Sequence, residues 1–262
     1  MLFKIGDLVT RKSYQHDVLF KIVDIEDDIA YLKGVDVRLY ADSDLDDLEL
    51  FDNPKDNHQE DRNDVMKLQD MLSLNRSEYF YLPGKILHID GDKDYLERCI
   101  NFYKEMHLEA YGIHMKEDDM PLEIETYLNE YKPDILIITG HDSFKRMAHA
   151  KNKSENYQNS LNFVNAVKRA RDYEKSQDKL IIIAGACQSN YEELIKAGSN
   201  FASSPKRINI HALDPAIIAA AVALSPKSKA LDLLALIEKT HYGSAGIGGI
   251  ITNGTMYVGY PR

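Results

Sequence analysis

The chain has 262 residues, of which 44% are hydrophobic, so it is long enough to bury a large core. Its formal net charge of −10 argues against a main role in nucleic-acid binding, because phosphate binding needs a surplus of Lys and Arg. No apolar run reaches the roughly 18 residues of a membrane helix, and the N-terminus lacks the apolar region of a signal peptide. We therefore expect a cytoplasmic protein that does not insert into membranes.

The first 50 residues are rich in short β-type runs. FKIGDLVTR, VLFKIVDIE, IAYLKGV and VRLYA are separated by Gly6, by an Asp27-Asp28 turn and by Gly34. This pattern predicts a small N-terminal β-barrel of SH3 or Tudor type over residues 1–50.

An acidic and polar stretch follows the predicted barrel. It contains Pro54 and few large apolar residues, and a short helix over residues 65–74 is the one element that it indicates. We predict an acidic linker over residues 51–77, which separates the barrel from a second domain at 78–262.

The second domain alternates β-type runs with amphipathic segments. The runs are KILHIDGD, AYGIHM, DILIITGHD and KLIIIAGACQ, and the segments between them predict helices over 93–107, 122–131 and 158–173. This alternation predicts an α/β fold with a mainly parallel sheet and flanking helices. DILIITG and KLIIIAG are apolar nearly throughout, which is typical of central strands covered on both faces.

The last third of the chain continues the pattern after residue 187. It predicts a helix in NYEELIKAG, a strand around NFASS, helices in PAIIAAAVAL and KALDLLALIEK, and a glycine-rich closing hairpin in GIGGIITNGTMYVGYP.

Two reactive side chains follow the two central strands directly. His141 comes after DILIITG, and Cys187 comes after KLIIIAGA, 46 residues later. Parallel strands end at one edge of a sheet, so both side chains should lie there, where an imidazole can take the proton of a thiol. The order His then Cys, about 50 residues apart, is the arrangement of caspases and predicts a caspase-like sheet.

Other groups near this pair have weaker claims to a role. Asp142 follows His141 directly and should point away from it, so its backbone N–H is a better candidate, as an oxyanion donor with that of Cys187. The other thiol, Cys99, lies in an amphipathic segment and is predicted to be an ordinary buried residue. A packed Cys187 and a hydrogen-bonded His141 without catalytic role remain the structural alternative.

His211, in RINIHALDP, is an alternative base. It follows the cysteine in sequence, as the base does in glutaminase-like amidotransferases, so another Cys-dependent α/β hydrolase or an amidotransferase stays open. The nine histidines show no HExxH spacing, and GIGGI and DGD lack the context of nucleotide loops. We expect no metal and no cofactor.

Several runs of the chain resemble the YabG family of spore-forming bacteria. They extend across both predicted domains: FKIGDLVTRKSY, YFYLPGKILHIDGD, ITGHDSF, AGACQSNYEELIKAGSNFASSPKRINIHALDP and GIGGI. The resemblance implies a sporulation-specific cysteine peptidase that cleaves spore coat and spore surface proteins after arginine. His141 and Cys187 match the histidine and cysteine of the family. The resemblance also implies that the protein acts in the cytoplasm of the sporulating cell and can associate with the forming spore coat.

Cleavage after arginine requires a carboxylate near the catalytic edge, because a guanidinium pairs with carboxylates in a fork geometry. Asp90 and Asp92 end the run KILHIDGD, and Asp142 is a third candidate. Ser203 and Ser204 are predicted to line a pocket wall. For Asp92, an N-cap of the following helix is an equal alternative.

One reading without catalysis also stays open. In it, the chain is a spore coat scaffold, and the N-terminal barrel tethers an inert α/β domain to its partners. A reactive Cys187 would favour the enzyme, and an inert one would favour the scaffold.

Overall fold

The computed structural model describes residues 3–51, 57–71, 79–143 and 157–260. Its N-terminal strands are β1 (Leu8–Arg11), β2 (Phe20–Glu26), β3 (Ile29–Gly34), β4 (Tyr40–Asp44) and β5 (Leu48–Leu50). They form one antiparallel sheet in the order β4-β3-β2-β1-β5. The sheet has a small core of its own, made of Val9, Phe20, Ile22, Ala30, Leu32 and Leu48.

The connection between β3 and β4 differs from the sequence prediction. VRLYA was expected to be a strand from residue 37, whereas β4 begins at Tyr40. The residues before Tyr40 turn away toward residues 210–212 of the second domain, where the N–H of Arg38 donates to Ile210 O at 3.2 Å. The strand starts late because this part of the second domain, and not the hairpin, binds the segment.

Part of the predicted linker is helical. Residues Asn57–Met71 form helix α1, whose Val65 and Leu68 are buried in the core of the second domain. This helix begins earlier than the short helix predicted over 65–74, while 52–56 and 72–78 lie outside the described residues.

The second domain contains eight further strands and seven further helices within the described residues. The strands are β6 (Phe80–Leu82), β7 (Ile86–Asp90), β8 (Ala110–His114), β9 (Ile135–Thr139), β10 (Ile181–Ala184), β11 (Phe201–Ser203), β12 (Ile247–Gly249) and β13 (Tyr257–Gly259). The helices are α2 (Lys93–Glu105), α3 (Met120–Tyr131), α4 (Ser160–Tyr173), α5 (Tyr191–Ala197), α6 (Asp214–Ala223), α7 (Leu233–Ile237) and α8 (Gly243–Gly246). Helices α2, α3 and α4 match their predicted ranges to within two residues at each end.

Six of these strands form one mainly parallel sheet, as the sequence predicts. Its order is β12-β11-β10-β9-β7-β8, and β12, at one edge, is the antiparallel member. Alternate residues of a strand point to opposite faces. Ile135 and Ile137 pack in the core with α2 and α6, while Leu136 and Ile138 pack in the core with α3 and α4. Both faces are covered, which is why these strands are apolar throughout.

The predicted closing hairpin is wrong. β12 pairs with β11, and β13 pairs antiparallel with β6 in a separate two-stranded sheet. Turn residues in GIGGIITNGTMYVGYP suggested a local hairpin, but each strand finds its partner in a distant part of the chain. In the part of the chain that the structure describes, no helix is long and apolar enough to cross a membrane.

Candidate active site

His141 lies just beyond the carboxyl end of β9 and is flanked by two carboxylates. Its Nε2 is 3.4 Å from Asp92 Oδ2, and its Nδ1 is 3.6 Å from Glu117 Oε1. The rings of Tyr40 and Tyr95 pack against the imidazole, with centroids at 4.4 and 5.9 Å. Burial lowers the pKa of His141, but the contacts with both carboxylates outweigh it, so the pKa is raised overall.

Glu117 was not predicted from the sequence, although it anchors His141 most directly. Its Oε1 accepts a hydrogen bond from the backbone N–H of His141 at 2.9 Å. The carboxylate also sits against Gly91 and Gly140, where a Cβ atom would collide with it. Glu117 follows β8 just as His141 follows β9. A polar residue after a third parallel strand was therefore the signal that could have found it.

Cys187 lies just beyond β10, the strand next to β9, with Ile138 of β9 in register with Ala184 of β10. Its side chain is fully buried, and its Sγ accepts a hydrogen bond from Ile210 N at 3.2 Å. Burial raises the pKa of the Cys187 thiol to about 12. In this state the thiol is covered and protonated at neutral pH.

The carboxylate of Asp142 points away from His141, as the sequence predicts. It accepts hydrogen bonds from Ser189 Oγ at 2.9 Å, from Ser160 Oγ, and from two backbone N–H groups. It thereby ties the segment after β9 to the start of α4 and to the turn after Cys187. Among the described residues, no hydrogen bond is seen from the backbone N–H of Asp142 or of Cys187.

Asp90, at the end of β7, is buried and paired with Arg38 from the connection between β3 and β4. Its Oδ2 accepts from Arg38 Nη1 at 2.6 Å and from Thr139 Oγ1 at 2.8 Å, and its Oδ1 accepts from Asp92 N at 2.9 Å. Burial alone would raise the pKa of Asp90, but the charge of Arg38, together with the contacts from His88 and from the N–H of Asp92, holds it well below its ordinary value. A carboxylate that binds a guanidinium is therefore present at this edge.

Asp92 has a different role from Asp90. It is the N-cap of α2, and its Oδ1 accepts from the N–H groups of Asp94 and Tyr95 at 2.9 and 3.1 Å. The same oxygen binds Lys33 Nζ of the N-terminal sheet at 2.7 Å. The structure thus supports the N-cap alternative, and it adds contacts with His141 and Lys33.

Comparisons with known proteins support the resemblance drawn from the motifs. The family model described as YabG peptidase U57 matches residues 4–261. The chain belongs to the YabG peptidase family. The chain is also 41% identical to the sporulation-specific protease YabG of Bacillus subtilis (strain 168), in an alignment that covers 100% of this chain and 99% of that relative. This relative confirms that the chain belongs with proteases that act in sporulation.

Ser203 and Ser204 do not reach the arginine-binding carboxylate of this YabG family member. Ser203 Oγ donates to Gly185 O at 3.3 Å, and Ser204 Oγ donates to Ile208 O at 2.7 Å. Both hydroxyls support the loops beside β10 and β11. No hydrogen bond between either serine and Asp90 is seen among the described residues, so their place in a pocket wall stays a prediction.

His211, the alternative base, contacts a different group of residues from those around His141. Its ring stacks on His241 at 3.5 Å between centroids, and its Nδ1 accepts from Leu213 N at 3.2 Å. Burial and the charge of His241 lower its pKa to about 2. Ligand atoms of His211, Asp214 and His241 lie within 4.8 Å of one another, so this group could hold a metal ion.

The residues that sequence reasoning missed come mainly from the N-terminal sheet. Lys33 and Tyr40 each contact Asp92 just beyond β7, and Arg38 contacts Asp90 at its end, although no local pattern in the sequence indicates these contacts. A contact between two units of a chain leaves no periodic pattern, so only the folded structure of this YabG family member reveals it.

Proposed function

We propose that the chain is a sporulation-specific cysteine endopeptidase with His141 as base and Cys187 as nucleophile. The observation that carries the proposal is the pairing of β9 and β10, whose in-register parallel ends bring the two residues to the same sheet edge. A histidine ahead of the cysteine on neighbouring strands is also the caspase-like arrangement. Membership of a protease family supports the same reading.

The groups around the pair suit acyl transfer. His141 takes the proton of the Cys187 thiol, the thiolate attacks the carbonyl carbon of the substrate, and His141 then protonates the leaving amine. In this mechanism the backbone N–H groups of Asp142 and Cys187 stabilise the oxyanion. Water hydrolyses the resulting thioester and releases the thiol.

Arginine is the residue that this site is best suited to accept before the cleaved bond. Asp90 is a buried carboxylate at the catalytic edge, and it already binds a guanidinium in this structure. Asp92 is paired with Lys33, and Asp142 accepts from two serine hydroxyls. Asp90 is therefore the strongest of the three candidates, because it is the one that binds a guanidinium. Spore coat and spore surface proteins of the sporulating cell are the proposed substrates.

Residues 1–50 are proposed to form a module that recruits these protein substrates or other coat partners. The module has its own core, and residues 51–77 connect it to the peptidase domain at 78–262. Exchange of this module for that of another family member should change which coat proteins are cut, while the arginine preference stays the same.

The decisive experiment compares wild-type protein with Cys187→Ala and His141→Ala on a peptide that contains one arginine. Each variant should lose cleavage, because each lacks half of the nucleophile–base unit. His107→Asn, at an exposed histidine, is the matched control and should retain full activity. Cleavage by purified Cys187→Ala protein at the wild-type rate would refute the mechanism.

The substrates are tested in sporulating cells. Coat proteins from cells with the wild-type chain should carry new C-termini that end in arginine. Cells with Cys187→Ala should lack them. If the coat proteins are cut at identical positions in both, they are not substrates of this protein.

A further inference from the structure

The loop between β3 and β4 runs in an extended form, antiparallel to residues 210–212, beside the candidate active site. The N–H of Arg38 donates to Ile210 O at 3.2 Å, and Ala212 N donates to Asp36 O at 3.0 Å. Val37 forms an antiparallel bridge with His211 between these two hydrogen bonds. Addition of an extended peptide to an exposed edge is a common mode of peptide recognition, in which backbone bonds give affinity and side-chain pockets give specificity.

The side chain of Arg38 fills a pocket built for a guanidinium. Its Nη1 donates to Asp90 at 2.6 Å, its Nη2 donates to Ala212 O at 3.1 Å, and its charge lies 5.0 Å from the centroid of the Tyr95 ring. The Arg38 and Asp90 side chains are both fully buried. A carboxylate, a carbonyl and an aromatic face are the groups by which proteins select arginine.

The backbone of Arg38 also lies beside the nucleophile. Ile210 accepts the N–H of Arg38 with its carbonyl oxygen and donates its own N–H to Cys187 Sγ at 3.2 Å. On the other side of the Arg38–Leu39 bond, the ring of Tyr40 is 4.4 Å from that of His141. The charge of Arg38 and its backbone both lower the pKa of the Cys187 thiol, against the larger effect of burial, and this fits the short distance between the two residues.

We propose that residues 36–38 occupy the substrate cleft as an internal substrate, with Arg38 in the arginine pocket of Asp90, and that the peptidase cleaves its own Arg38–Leu39 bond. This rests on the peptidase function proposed above. The Cys187 sulfur forms a bond with the carbonyl carbon of Arg38, and the bond from that carbon to Leu39 N breaks. The thiol proton passes through His141 to the Leu39 amine, and water then hydrolyses the thioester to an Arg38 carboxylate.

Self-cleavage would open the site to other proteins. In the intact chain Arg38 and Cys187 have no exposed surface, so a second polypeptide has no access to the pocket or the thiol. Once the bond is cut, the chain end at Arg38 is free to leave the cleft. The pocket is then available for an arginine of another protein.

The test follows full-length protein by mass spectrometry after purification. Wild-type protein should give fragments 1–38 and 39–262, at a rate that about tenfold dilution leaves unchanged, because the reaction is intramolecular. The Cys187→Ala chain should stay intact. Arg38→Gln should abolish cleavage at this bond, while Arg169→Gln, at an exposed arginine of α4, should be cut like wild type.

A peptide with one arginine separates this inference from the proposed function. If wild-type protein cleaves the peptide through Cys187 but its own Arg38–Leu39 bond stays intact, self-cleavage is refuted and Arg38 is only a structural contact. If wild-type protein cleaves neither the peptide nor itself, the peptidase function is refuted as well. The wild-type and Cys187→Ala measurements decide between these outcomes even if Arg38→Gln does not fold.

Discussion

A single oxygen of Glu117 holds both the backbone and the ring of His141. Its Oε1 accepts the His141 N–H at 2.9 Å and lies 3.6 Å from Nδ1 of the imidazole. The same carboxylate therefore sets the position of the proposed base and favours its protonated form. The two effects can be separated by substitution.

Replacement of Glu117 by Gln should lower the pKa of His141, because one of its two carboxylate partners loses its charge. NMR titration of the imidazole in a Cys187→Ala background measures this shift. Peptide kcat/KM should fall by about 10- to 100-fold, since a hydrogen bond to a charged group contributes about 1.5–3 kcal/mol. Glu125→Gln, at an exposed site on α3, should change neither quantity.

The loss of stability in Glu117→Gln should depend on pH. The pKa of His141 is raised above its ordinary 6.5, so the interaction stabilises the fold below pH 6.5 and fades as the pH rises through the folded value. The pKa of Glu117 is lowered from 4.5, so its contribution is lost as the pH falls further. In the Cys187→Ala background, urea unfolding of Glu117→Gln should differ most from its parent between about pH 4.5 and 6.5. A difference that grows above pH 8 would contradict this assignment.

The buried pair of Arg38 and Asp90 should be strongly coupled in stability. In the Cys187→Ala background, which keeps the chain intact, Arg38→Met and Asp90→Asn should each cost about 3–5 kcal/mol, because each leaves a buried charge unpaired. The stability loss of the double variant should be smaller, by about 1–3 kcal/mol, than the sum of the losses of the two single variants.

Urea unfolding measures all of these values. Lys196→Met is the control, because it breaks an exposed pair with Glu193 and should cost less than about 1 kcal/mol. Strict additivity of the two single variants would mean that Arg38 and Asp90 are not paired in solution.

Gly140 should not tolerate a side chain. A Cβ atom there would lie 2.5 Å from Glu117 Oε1, so Gly140→Ala should displace the carboxylate and cost about 1–3 kcal/mol. The double variant Gly140→Ala/Glu117→Ala lacks the collision and should recover part of the loss. Thermal melts of the four proteins in the Cys187→Ala background measure this, and the absence of any recovery would mean that the strain lies elsewhere.

Asp142 and Asp90 should differ in what their loss changes. Asp142→Ala should cost about 3 kcal/mol or more, because it leaves several buried donors without an acceptor, while the preference for arginine over citrulline peptides stays unchanged. Asp90→Asn should reduce that preference.

Unfolding in urea and the ratio of kcat/KM for the two peptides separate these effects. Asp172→Ala, an exposed residue of α4, is the stability control. If Asp142→Ala removes the arginine preference and Asp90→Asn keeps it, the two roles are reversed.

Short-range patterns were enough to predict the central sheet and the helices α2 to α4. A short apolar run is typical of a strand that is covered on both faces, and amphipathic spacing is typical of a helix with one buried face. Both patterns depend only on residues that are close together in sequence. The shared edge of His141 and Cys187 followed because parallel strands end on one side. The glycine-rich closing run differs from its predicted hairpin because its strands pair with β11 and β6, which are far away in sequence.

Tertiary structure alone decided which groups surround the candidate pair. Arg38 and Asp90 are 52 residues apart, and Glu117 reaches His141 across 24 residues, so no local pattern could bring them together. These contacts depend on how one sheet packs against another and on close approach at Gly91 and Gly140. A buried charge needs a partner, and packing determines which one it finds.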